Sequence, residues 1–147
     1  MVKWLEDLRA FQNSMEVCLF VYFLPLPFAS QPEICAIYHN AVTGTDLRPQ
    51  DVLHIGERIV NFEKAYNIRE GWVREDDSLP DRFLKETLPA GAAKGTVVDL
   101  ESMINEYYSE REWDQSGLPT REKLRTLGLD TVADDLENMG KLGSVCP

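Results

Sequence analysis

Three thiols, two imidazoles and a dense charge cluster are the side chains of this sequence with the greatest chemical reach. Cys18, Cys35 and Cys146 are odd in number, far apart and without a C-x-x-C pair. Local spacing therefore supports neither a disulfide scaffold nor a self-contained zinc site, and a reducing compartment is expected. His39 and His54 fall on two predicted helices, and Asp51 stands three residues before His54. One carboxylate and one imidazole are too few for metal specificity, so neither histidine is given a role. Arg69, Glu70, Arg74, Glu75, Asp76 and Asp77 alternate in sign, the pattern of a solvated surface ion-pair network. Tyr107 and Tyr108 match helical core spacing. Cys18 differs in its context, at the junction between the polar step Asn13-Ser14 and a strongly apolar stretch, where a protein-bound cluster would be shielded from water. On residue physics alone a buried structural cysteine is the expected reading.

The elements that must hold these groups read as helices nearly throughout. Residues 3–12 carry Trp4, Leu5, Leu8 and Phe11 at spacings of three and four. The run 17–29 is the most apolar of the chain. Pro25 and Pro27 break it, and it should be buried. Ser30 with Glu33 forms a capping box for a helix turning Ile34, Cys35, Ile37 and Tyr38 inward, ending near Thr43-Gly44. From Pro49 to Tyr66 the apolar residues Val52, Ile55, Ile59, Phe62 and Tyr66 make the best-defined stripe. Residues 67–95, dense in Gly, Pro and Asp, predict a long ordered connection with a helical turn or two at 81–86. Asp99 caps a helix with the stripe Leu100, Met103, Ile104, Tyr107 and Tyr108. Helices over 121–127, capped by Thr120, and over 131–139 follow. Only Thr96-Val97-Val98 hints at a strand. The expected class is all-α, with residues 1–140 as one compact helical domain with a long connecting loop and 141–147 as a flexible tail.

Composition limits the function classes. The chain has 147 residues, 44% of them hydrophobic and 27% charged, which suits one soluble globular domain. A formal charge of −10 repels phosphate backbones and anionic headgroups, so no nucleic acid and no membrane surface is expected as partner. The apolar run is too short to span a bilayer, and a cytoplasmic location is expected.

Beyond these patterns, the blocks Asn13-Ser14-Met15-Glu16-Val17-Cys18-Leu19-Phe20, Asn40-Ala41-Val42-Thr43-Gly44 and the seventeen-residue stretch from Ile55-Gly56-Glu57-Arg58 to Arg69-Glu70-Gly71 occur in that order. Asp76-Asp77-Ser78-Leu79-Pro80-Asp81-Arg82-Phe83, Glu106-Tyr107-Tyr108 and Gly117-Leu118-Pro119-Thr120 follow. Together they resemble the C-terminal third of the tungsten-containing aldehyde ferredoxin oxidoreductases. The resemblance implies an oxidoreductase converting an aldehyde and water to a carboxylic acid. Electrons would pass through a tungsten bis-pterin centre of the molybdopterin type and a [4Fe-4S] cluster to ferredoxin.

In that family a D-x-x-G-L-C element completes both sites. The resemblance places Cys18 as the fourth cluster ligand, with Asn13 and Val17 at cofactor-binding positions. Asn13 replaces the aspartate and Glu16 the glycine, which would make a close backbone approach to the cofactor harder. Three scattered cysteines cannot hold a cubane, so the chain alone is expected to be colourless, inactive toward aldehydes and without catalytic residues of its own. Two functions are carried forward. One is the cofactor-completing portion of such an enzyme, docked on its remaining domains or a companion subunit. The other is a non-catalytic interaction module in which Cys18 is ordinary core. Covered by other domains in the first case, residues 17–28 would otherwise drive self-association. The negative charge disfavours direct contact with an acidic ferredoxin, which would be reached through the full enzyme.

Overall fold

In the computed structural model, which describes residues 1–18, 20 and 31–144, seven helices succeed one another: α1 (Val2–Ser14), α2 (Gln31–Thr43), α3 (Pro49–Arg69), α4 (Asp81–Lys85), α5 (Leu100–Arg111), α6 (Arg121–Thr126) and α7 (Asp130–Asn138). Their signals are largely local. Pro49 opens α3, and the Arg48 N–H donates to Asp51 Oδ2 at 2.8 Å. Asp99 and Thr120 accept from the Ser102 and Lys123 N–H groups at the starts of α5 and α6. Glycines with positive φ follow α2, α6 and α7.

The long helix α3 is the axis. Its first half joins Leu8 and Phe11 of α1 and Ile34, Cys35 and Ala36 of α2 in one core around Val52. Its second half brings Ala65 and Ile68 against Leu124, Leu127, Leu129, Ala133 and Leu136 of the α6–α7 region. Helix α5 packs against α1.

Several sequence expectations need correction. Helix α3 runs three residues past Tyr66, and its buried face is rotated. Phe62 and Tyr66 are 53% and 52% exposed while Asn61 and Lys64 are buried. The reason is polar: the Trp113 indole N–H donates to Asn61 Oδ1 at 2.8 Å, which draws that face inward. Ile37 and Met103, assigned to apolar stripes, are also largely exposed. Residues 96–98 form no strand: the Thr96 carbonyl accepts from the Leu88 N–H and the Val98 N–H donates to Phe83, which folds the loop on itself. Asp77 is partly withdrawn from solvent and accepts from the Tyr108 hydroxyl at 2.6 Å. Lys141–Ser144 make tertiary hydrogen bonds. Lys141 Nζ donates to the Ile68 carbonyl, and the Gly143 and Ser144 N–H groups donate to the Pro119 carbonyl and to Asp114. Leu19, most of the apolar run 17–29, Ser30 and Cys146 lie outside the described residues.

Candidate functional site

The sequence-predicted site residues Asn13, Val17 and Cys18 all lie at the C-terminal end of α1, and all three are exposed. The opposite side of the same turn is anchored. Phe11 and Gln12 are buried, Met15 packs on the first core, and Gln12 Nε2 donates to Cys35 Sγ at 3.5 Å. Burial pushes the Cys35 thiol above its ordinary pKa, so it is an inert core thiol. Of the two described cysteines Cys18 is the exposed one, which corrects the ordinary-core reading.

Glu16 turns the chain out of α1. Its φ is +53°, in the left-handed region that favours glycine, and its N–H donates to the Asn13 carbonyl at 3.1 Å. The glycine expected at this position from the resemblance is replaced, yet the backbone keeps the glycine-like bend.

Two devices seat α1, and both lie far from it in sequence. At Gly56 the backbones of α1 and α3 nearly touch: a Cβ there would stand 1.8 Å from the Asp7 carbonyl oxygen. On the α5 side, fully buried Arg111 donates to Asp7 Oδ1 and, at 2.8 Å, to Glu6 Oε2. Burial opposes the Arg111 charge, but the Asp7 and Glu6 hydrogen bonds more than offset this and raise its pKa. Glu57 Oε1 sits between Lys123 Nζ at 2.8 Å and Lys3 Nζ at 2.9 Å. Burial pushes its carboxyl up, and the two ammonium groups outweigh that and leave the pKa lowered.

A second cluster escaped the sequence reading. Lys64 Nζ lies over the Trp72 ring, 2.8 Å from its centroid, with the Trp113 centroid at 4.8 Å and Asp77 Oδ2 at 3.5 Å. It borders a cleft of about 400 Å³. Burial raises the pKa of both Tyr107 and Tyr108, and their hydrogen bonds to Glu6 and Asp77 add to the shift. His39 Nδ1 lies 2.9 Å from Thr45 Oγ1 and His54 is exposed. Among the described residues, no three His, Cys, Asp or Glu side chains converge as a metal-holding group.

Residues 1–129 match the family model described as "Aldehyde ferredoxin oxidoreductase, domains 2 & 3". The chain belongs to the aldehyde ferredoxin oxidoreductase family. It is 39% identical to the tungsten-containing aldehyde ferredoxin oxidoreductase of Pyrococcus furiosus over 84% of its length, and 38% identical to that of Thermococcus kodakarensis over the same share. An aliphatic sulfonate oxidoreductase, WOR-like subunit, of Pyrococcus furiosus is 30% identical over 92% of the chain. The chain spans about a fifth of the length of these relatives: 20% of the two aldehyde ferredoxin oxidoreductases and 22% of the sulfonate enzyme. Among solved structures, the active site complex BamBC of benzoyl coenzyme A reductase, in complex with 1,5-dienoyl-CoA, matches the fold with a TM-score of 0.78. That match has 24% identity and covers 97% of this chain and 21% of that one. The aldehyde ferredoxin oxidoreductase match includes both the α1 end and the Gly56 crossing that seats it. Among the described residues, no helix is long and apolar enough to cross a membrane.

Proposed function

We propose that this chain completes the cofactor site of an aldehyde ferredoxin oxidoreductase-like enzyme, with Cys18 as the fourth thiolate ligand of a [4Fe-4S] cluster and Asn13 and Val17 lying against a tungsten bis-pterin. Such a centre, when bound, takes two electrons as an aldehyde and water become a carboxylate, and the cluster relays them toward ferredoxin. The observation that carries this reading is the exposure of Cys18 on an anchored helix end, while Cys35 is buried against Gln12.

A cubane takes four thiolates as a rule, and this face presents one accessible thiol among the described residues. The chain therefore fits as the donor of a single ligand, the other three coming from another portion of the enzyme or a companion subunit. Asn13 serves the pterin through a carboxamide, which both donates and accepts where a carboxylate only accepts. Glu16 keeps the bend that directs Cys18 away from the core. Ferredoxin docks elsewhere on the full enzyme, because a chain of charge −10 repels an acidic partner at low salt.

The test is Cys18→Ser in the assembled enzyme. Iron content and the thiolate-to-iron absorption should fall while helix content stays unchanged, because the swap removes a soft ligand at small volume cost. Unchanged cluster occupancy would refute the assignment.

A further inference from the structure

Near its C-terminal end α1 carries a polar side chain that the seating devices at Asp7 and Glu6 leave unexplained. Gln12 is a primary amide only 1% exposed. Its Oε1 accepts from Arg9 Nη1 at 2.6 Å, and its Nε2 donates to Sγ of Cys35, on α2, at 3.5 Å. A guanidinium can only donate, so Arg9 fixes which end of the amide faces it and turns the NH2 group toward α2. There it meets a fully buried thiol.

An N–H···S bond to a neutral thiol is weak, and enclosing an amide costs desolvation. An unbranched apolar side chain of the same length would therefore fill this space with no loss of stability. What the amide adds is direction. Packed methylenes can slide and turn past one another, whereas a fixed donor aimed at a fixed acceptor holds α1 at one rotation about its axis.

That rotation is passed along the chain. The Met15 N–H donates to the Phe11 and Gln12 carbonyls, both at 3.2 Å, and the Glu16 N–H donates to the Asn13 carbonyl at 3.1 Å. The turn that sends the backbone toward Cys18 is thus held by residues 11–13. A side chain about 5 Å from a helix axis moves by roughly 0.9 Å when the helix turns by ~10°, well beyond the ~0.2 Å within which metal–ligand distances are held. Taking Cys18 as a cluster ligand, we propose that Gln12 is its positioning residue, an inference that rests on that reading. The amide, oriented by Arg9 and tied to the Cys35 thiol, fixes the rotation of the last turn of α1 and with it the place of the Cys18 thiolate. Gly56 and Arg111 act on Asp7 and Glu6, more than a helical turn earlier, and set where α1 lies. Gln12 sets how its end faces.

Three variants test this: Gln12→Met, which keeps the length and removes the donor, Cys35→Ala, which removes the acceptor, and Cys35→Ser, which keeps one. In the assembled enzyme, the paramagnetic resonance g values of the reduced cluster should shift alike in Gln12→Met and Cys35→Ala, with the double variant shifted no further than either alone. Cys35→Ser should give the parent spectrum. A role in packing alone would lower the melting temperature without a shared, non-additive shift in g. In the full chain without cluster, hydrogen exchange at the Met15 and Glu16 amides should quicken roughly tenfold in Gln12→Met and Cys35→Ala but not in Cys35→Ser. Parent g values and parent exchange in Gln12→Met would overturn the proposal even where Cys18→Ser strips the cluster. An iron content unchanged by Cys18→Ser would refute the ligand reading and the positioning role with it, whatever the exchange rates.

Discussion

Replacing Gly56 with alanine tests the crossing that seats α1, because two opposed effects predict opposite signs. On a free helix face Gly→Ala stabilises by about 1 kcal/mol through lower unfolded-state entropy and better helix propensity. In this fold the new Cβ would lie 1.8 Å from the Asp7 carbonyl oxygen and 2.5 Å from its carbonyl carbon. A relaxed carbon–oxygen contact needs about 3.3 Å, so α1 would have to retreat by roughly 1.5 Å. The clash is backbone against backbone, and no rotamer change relieves it. Retreat would draw Leu8 from the first core and Asp7 from Arg111. Overpacking of this kind costs about 1–3 kcal/mol, and more when it strips a buried ion pair, so a net loss of about 2–4 kcal/mol is expected after the propensity gain. Urea denaturation followed by circular dichroism measures it, with an unchanged m-value showing that the midpoint shift is a change in stability. A Gly56→Ala chain as stable as the parent, or more so, would refute the close packing of α1 on α3.

Arg111→Met should destabilise by about 3–5 kcal/mol, because it leaves buried Asp7 with Lys3 as its remaining ion-pair partner. Adding Asp7→Leu should restore much of the loss in the same denaturation assay, and a further drop would refute that account. The folded pKa of Lys64, about 8, lies below its ordinary value of 10.5, so the unfolded chain binds more protons between these values and stability gains as pH rises. Between pH 8 and 9 the parent should gain about 1 kcal/mol relative to Lys64→Met. Taking the difference cancels the opposing contributions of Cys35 and the two tyrosines, and a flat difference would show that Lys64 is not desolvated.

Helical class and most helix positions were legible because they are set locally, by caps, by prolines and by apolar residues every three or four positions. Which face of a helix is buried was less so. The stripe rule assigned Phe62 and Tyr66 to the core of α3, whereas the partner of Asn61 is Trp113, fifty-two residues away, and Arg111 pairs with Asp7 across one hundred and four. Burying a hydrogen-bonding side chain is favourable only when its partner is delivered by the tertiary fold, and no single-helix pattern carries that information. Lys64 was invisible for the same reason. At the α1 end the local setting also differs from the one read in the sequence. Residue physics read Cys18 as a buried structural cysteine, and it is exposed. Glu16, read as an obstacle to a close backbone approach to cofactor, adopts the glycine conformation, at a cost of about 1–2 kcal/mol for a residue with a Cβ. With Phe11, Gln12 and Met15 held by the first core on the other side of the turn, that strain is sustained by packing rather than by local preference, and the bend that presents Cys18 belongs to the fold and not to the identity of residue 16.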